Sequence, residues 1–227
     1  MSITGDFSLK INKEPVPEAL NYGNSYKMWN DGSVECEVGE LLYGLVRILK
    51  PKNILETGTY KGFSAAYMAT GLRDNGFGFL TTIEYNKVMI QKAEKLWIEL
   101  GLTNFIQQVQ GYSLNFDTGT KFYELLFLDT EPEYRFKELV KFYPNLSPGG
   151  YALIHDLSRD MSQHTHNQDH KEVDPWPFGP ISQEMQNWLK DGDLVKFHFP
   201  NPRGLTGFYK THSGDYKLDN YVLFDGM

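Results

Sequence analysis

The sequence predicts an α/β fold: a doubly wound, mostly parallel sheet with one antiparallel strand near the C-terminus. Three observations point there. Short apolar runs alternate with helical repeats from Asn53 to Leu157, the pattern of right-handed strand–helix–strand crossovers. The first strand–helix junction, NILETGTYKGFS (Asn53–Ser64), carries glycines at Gly58 and Gly62. Near the C-terminus, LVKFHFP and GLTGFYK are joined only by NPR, too short for anything but an antiparallel pair.

The elements follow in order. Residues 1–33 are polar and broken by glycine and proline, with aromatics at Tyr22, Tyr26 and Trp29, and read as an N-terminal arm or cap. Val38, Leu41, Leu42, Leu45, Ile48 and Leu49 recur at helical spacing, with Ser33 as N-cap and Pro51 as stop. NILETG is a strand, GFSAAYMATGL a helix, GFLTTIEYN a strand and KVMIQKAEKLWIELGL a helix closing at Gly101. NFIQQVQG and Leu125–Leu128 are further strands, RFKELVKFYPNL a helix and GGYALIHDL a fifth strand. After the helix ISQEMQNWLKDG and the hairpin, YKLDNYVLFDGM adds an edge strand or packs back. Residues 34–227 thus form a single domain, and the long loop at about 157–180 is more than a connector.

Composition limits the function classes. The 227 residues suit one α/β domain, and a formal net charge of −7 argues against a broad nucleic-acid footprint. The single cysteine, Cys36, allows no internal disulfide and reads as an apolar filler in a reducing compartment. No long apolar stretch suggests a membrane span, and MSITGDFSLKINKEP lacks a basic-then-apolar signal pattern. The expectation is a cytoplasmic protein acting on a small molecule, with no nucleic acid and no membrane; its oligomeric state is open, a homodimer included.

Ligands of open α/β sheets sit beyond the carboxyl ends of the strands. The first such turn is Glu56-Thr57-Gly58-Thr59-Tyr60-Lys61-Gly62, E-x-G-x-x-x-G rather than the G-x-G-x-x-G of dinucleotide sites. A carboxylate at Glu56 would repel a pyrophosphate and suits a cationic ligand such as S-adenosylmethionine (SAM). Glu84 ends the next strand, where a carboxylate can accept both ribose hydroxyls. Ser113, after the third strand, is placed to reach an adenine edge.

These stretches, with LLFLDTEPEY and LSPGGYALIHD, resemble class I SAM-dependent methyltransferases, and within them the small catechol O-methyltransferase-like enzymes. The likeness runs from about Ser33 to Leu157. It implies a Rossmann-like, seven-stranded sheet with one antiparallel strand. It further implies that Glu56, Gly58 and Tyr60 line the methionine end of SAM, that Gly62 allows close backbone approach, and that Ser64 bonds the SAM carboxylate. Val34 would cover the cofactor, Glu84 hold the ribose, Tyr85 flank the adenine and Ser113 contact its edge. Tyr112 stands where many relatives carry an acid.

Asp129 ends the fourth strand, where cation-dependent relatives bind both SAM and a metal. With His155 and Asp156 it forms a candidate set for a divalent cation, an imidazole and carboxylates suiting Mn²⁺, Fe²⁺ or Zn²⁺ better than Mg²⁺. The catalytic lysine of the relatives falls on Pro132, so the general base passes to His155, oriented by Asp156. His164, His166 and His170 lie in the long loop, which reads as a lid, with Trp176 and Phe178 shaping a pocket. Three readings stand: a SAM-dependent methyltransferase for a hydroxyl of a small molecule or sugar, a nicotinamide-dependent oxidoreductase, and a catalytically silent SAM-binding domain.

Overall fold

The computed structural model describes residues 16–17, 26–29, 33–157, 182–199 and 203–212. In chain order they form β1 (Val16–Pro17), β2 (Lys27–Met28), α1 (Cys36–Leu49), β3 (Asn53–Thr57), α2 (Phe63–Asn75), β4 (Phe79–Glu84) and α3 (Lys87–Glu99). Then come β5 (Ile106–Gln110), β6 (Tyr123–Leu128), α4 (Pro132–Phe142), β7 (Leu146–His155), α5 (Gln183–Asp191), β8 (Leu194–Phe199) and β9 (Leu205–Lys210). The main sheet has seven strands in the order β5-β4-β3-β6-β7-β9-β8. Only β9 runs against the rest, pairing antiparallel with β7 on one side and β8 on the other. The expected fold class is therefore the observed one.

Local chemistry sets the helix limits. Lys50 closes α1 in a left-handed conformation at φ 49° just before Pro51. Asn86 caps α3, its side-chain oxygen accepting from the Val88 and Met89 amides. Pro132 opens α4 at a position where its missing N–H costs nothing, so that helix starts three residues before the expected Arg135. Ser33 is not the cap of α1: Glu35 occupies that place without a side-chain capping bond, and the Ser33 carbonyl instead accepts from Arg203. β6 likewise begins at Tyr123 rather than Leu125.

The sheet separates two cores, as a doubly wound fold requires. Ile54, Leu125, Phe127 and Leu153 join one with α1 and α2, while Leu55, Leu126, Leu128 and Ile154 join the other with α4. Alternation along each strand fixes the assignment. Met28 and Trp29 belong with the body of the fold: both are buried, and the Trp29 indole donates to the Tyr67 hydroxyl at 3.1 Å. Cys36 is buried and packs in the first core, as its reading as an apolar filler expects. The loop histidines, Trp176, Phe178 and the C-terminal run from Tyr216 lie outside the described residues. Among the described residues no helix is long and apolar enough to cross a membrane.

The β8–β9 hairpin is closed by a ring over a glycine. A Cβ on Gly207 would lie 1.9 Å from the Phe197 ring. Gly207→Ala is expected to cost about 1–3 kcal/mol of stability through overpacking, read by urea unfolding, with Gly44→Ala, which has open space around it, as the tolerated control.

Candidate cofactor and catalytic site

The strand ends β3, β4, β5, β6 and β7 meet at one edge of the sheet, and the turn after β3 is shaped by close packing there. Gly58 has φ 84°, and a Cβ on it would meet the Asp129 carbonyl oxygen at 2.2 Å, so the end of β6 requires a glycine at this position. Gly62 is needed for a different neighbour than expected. A Cβ there would meet Ala93 and Trp97 at 2.7 Å, and its carbonyl accepts the Trp97 indole N–H at 2.9 Å, so the close approach is that of α3. Tyr60 is left-handed at φ 46°, a costly conformation for a tyrosine, held by its N–H donating to the Glu84 carboxylate at 2.9 Å.

Glu56 faces the first core and is fully buried. It accepts from the Ser64 and Thr82 hydroxyls, each at 2.5 Å. Burial pushes its carboxyl up to about 8, against the pull of those two hydroxyls. At neutral pH it is largely uncharged, so the repulsion of a pyrophosphate expected from it is not available; Glu84 is the carboxylate nearer the surface. The Ser64 hydroxyl is spent on Glu56. The first turn of α2, however, has no side-chain cap, leaving its amides to face an anion.

A second buried carboxyl was not anticipated. Glu138 of α4 accepts from the Thr57 hydroxyl at 2.9 Å, the Thr130 hydroxyl at 2.9 Å and the Ser113 hydroxyl. One side chain thereby ties together the ends of β3 and β6 and the turn after β5. Burial raises the pKa of Glu138 above the usual carboxylate range. The Ser113 hydroxyl donates to this carboxyl.

The third group is an ion-pair network. His155, with no solvent exposure, directs Nε2 to Glu35 at 2.7 Å and Nδ1 to Asp129 and Asp156, each at 3.3 Å. Arg135 sends its terminal nitrogen to Asp129 at 3.2 Å and to Asp156 at 3.1 Å. It also donates to the carbonyls of Thr130 at 2.7 Å and His155 at 2.6 Å. Arg203 grips Asp156 at 2.6 and 2.8 Å and the Ser33 carbonyl at 2.7 Å. Burial would lower the pKa of His155, but Asp156, Asp129 and Glu35 outweigh it and raise it to about 10. Burial would likewise raise Glu35, yet His155 and Arg203 hold it at about 2.

Asp129, His155 and Asp156 do bring ligand atoms within 4.8 Å of one another, and Glu35 behind Nε2 resembles the carboxylate that orients a metal-binding histidine. The guanidinium of Arg135 nevertheless lies against the same carboxylates. A unit charge pair at 4 Å is worth about 4 kcal/mol near a protein surface, and a divalent ion doubles the repulsion. The residues present do not fit a metal.

At the ends of β4 and β5, Glu84 also accepts the Asn86 amide at 2.8 Å, and the exposed rings of Tyr85 and Tyr112 stack at 5.3 Å. Beside them an open depression of about 340 Å³ is lined by Ile83, Val109, Gly111, Tyr112, Asn115 and Phe116. Val34 is buried in the first core immediately before Glu35. Glu35, Arg135, Glu138 and Arg203 are the site residues that sequence reasoning missed. The one available signal was a lone carboxylate, Glu35, between the apolar Val34 and Cys36.

Two outcomes follow from these groups. The Glu35–His155 pair stabilises fully above the ordinary carboxyl value of 4.5 and below the ordinary imidazole value of 6.5. Its contribution fades as pH falls toward 2 or rises toward 10, and Glu56 adds a cost that grows from 4.5 to about 8, so urea midpoints should peak between pH 4.5 and 6.5. A flat profile across neutral pH contradicts this assignment. Glu138→Ala strands the buried Thr57 and Ser113 hydroxyls and the half-buried Thr130 hydroxyl, and is expected to cost about 3 kcal/mol in the same assay.

The methyltransferase domain family matches residues 55–157. A catechol O-methyltransferase of Niastella koreensis is 31% identical over 130 residues, covering 55% of this chain and 57% of that protein. The chain thus spans about half the length of the curated relatives it matches. The O-methyltransferase TomG of Streptomyces achromogenes, solved in complex with SAM, superposes with a TM-score of 0.64 at 21% identity, over 80% of this chain and 83% of that one. An O-methyltransferase of Bacillus cereus in complex with S-adenosylhomocysteine (SAH) gives 0.64 at 18% identity, over 80% and 84%. Residues 55–157 are thus similar in sequence to a methyltransferase domain, and the fold is that of solved O-methyltransferases.

Proposed function

We propose that the protein binds SAM at this edge and transfers its methyl group to a hydroxyl of a small molecule. The observation that carries the reading is Glu84 at the tip of β4, holding the strained Tyr60 turn beside the uncapped start of α2. A ribose diol can bond the carboxylate, and the amino-acid carboxylate can take the α2 amides. Tyr85 and Tyr112 supply the aromatic surface for the base. A nicotinamide dinucleotide finds no tight double-glycine turn for its pyrophosphate.

Bound SAM supplies an electrophilic methyl group. The chain aligns the acceptor behind it and receives the hydroxyl proton. His155 is unsuited to the second task, because it is closed to solvent, already protonated at neutral pH and engaged on both nitrogens. Asp129, whose side chain is 15% exposed where its neighbours are closed, is the member of the network that can meet an acceptor. We assign proton acceptance to Asp129 and positioning to His155. Val34, before Glu35, lies at the start of α1, and Gly58 and Tyr60 shape the turn.

Titration calorimetry tests the cofactor. SAH is expected to bind one per chain, NAD not at all, and Glu84→Ala to weaken SAH by about 10- to 100-fold, the worth of hydrogen bonds to a charged group. Absence of SAH binding to the wild type rejects the reading. SAH binding without methyl transfer to any of a panel of phenols, catechols and sugars would favour the silent SAM-binding domain.

A further inference from the structure

The carboxylates at the ends of β6 and β7 are compensated from within the chain. Arg135 lies on α4 and reaches across to Asp129 at 3.2 Å, Asp156 at 3.1 Å, and the carbonyls of Thr130 and His155 at 2.7 and 2.6 Å. All three of its nitrogens are used, and Nη2 meets both carboxylates that a cation at this edge would contact. Arg203, from the segment that leads into β9, also grips Asp156, sharing Oδ2 with Arg135. Asp156 itself is left-handed at φ 56°, and the two guanidiniums hold that conformation by gripping its carboxylate.

A divalent ion needs what this arrangement lacks. Mg²⁺ keeps several waters, and Mn²⁺ wants a set of ligands free to converge on it. Here Asp156 and His155 are buried, and the Asp156 carboxylate is already held by two guanidiniums. A guanidinium stays charged throughout the accessible pH range and cannot be chelated away.

We propose that Arg135, supported by Arg203, is the built-in cation of this site, so that the protein excludes divalent metals and works without one. The location of the site rests on the methyltransferase reading; the exclusion of metal does not, and is measured separately.

Mn²⁺ electron paramagnetic resonance on the wild-type chain provides the test. Free-ion signal is expected to persist undiminished up to about 1 mM Mn²⁺, and the melting temperature to be unmoved by EDTA. Arg135→Gln, which uncovers Asp129 and Asp156, is expected to bind Mn²⁺ at least about tenfold more tightly than the wild type. One Mn²⁺ per wild-type chain at about 0.1 mM or tighter, lost in Asp129→Asn, overturns the proposal. So does a folded Arg135→Gln chain with no gain in Mn²⁺ affinity. Should that variant fail to fold by circular dichroism, the wild-type titration decides alone. SAH affinity measured on the same samples reports on the methyltransferase reading without touching this result.

Discussion

The guanidinium of Arg135 is the interaction on which the active edge depends. It joins α4 to the ends of β6 and β7 through the Thr130 and His155 carbonyls and the Asp129 and Asp156 carboxylates. Removing one partner of such a buried network costs more than the pairing gains, because the remaining charge is left in a poor solvent. Arg203 extends the network to the Ser33 carbonyl, so the chain leading into α1 is fixed by the same charges. With Glu35, Asp129 and Asp156 set against Arg135, Arg203 and protonated His155, the cluster balances three negative groups with three positive ones.

Two smaller polar groups work in the same way on either side. Glu56 gathers Ser64 and Thr82 above the first core, and Glu138 gathers Thr57, Thr130 and Ser113 above the second. Each carboxyl is buried and each is satisfied by hydroxyls from other parts of the chain. The turns of the candidate site are thereby held by bonds within the chain. Tyr60 and Asp156, both left-handed, sit where these groups meet, which is where strain can be sustained by its surroundings.

Much of this was legible beforehand. The alternation of strands and helices, the reversed strand and the turn at Gly58 follow from local pattern, because period and turn chemistry are properties of a few neighbouring residues. Glu84, Asp129, His155 and Asp156 were placed at strand ends by that pattern alone. The contacts were not: the Ser113 hydroxyl bonds Glu138, the Ser64 hydroxyl bonds Glu56, and Gly62 accommodates Trp97.

The sequence by itself determined the doubly wound sheet, its reversed strand and the edge at which the candidate site residues gather. Tertiary structure decided which charges face one another. Glu35 meets His155 across 120 positions, and Arg203 meets Asp156 across 47, from a stretch legible only as the turn NPR. No periodicity records such pairs, because they form only when helices and strands distant in sequence close around the same edge. The physical reason is desolvation: a lone carboxylate or imidazole in a sequence is only a titratable group, and burial beside its partners makes it an ion pair.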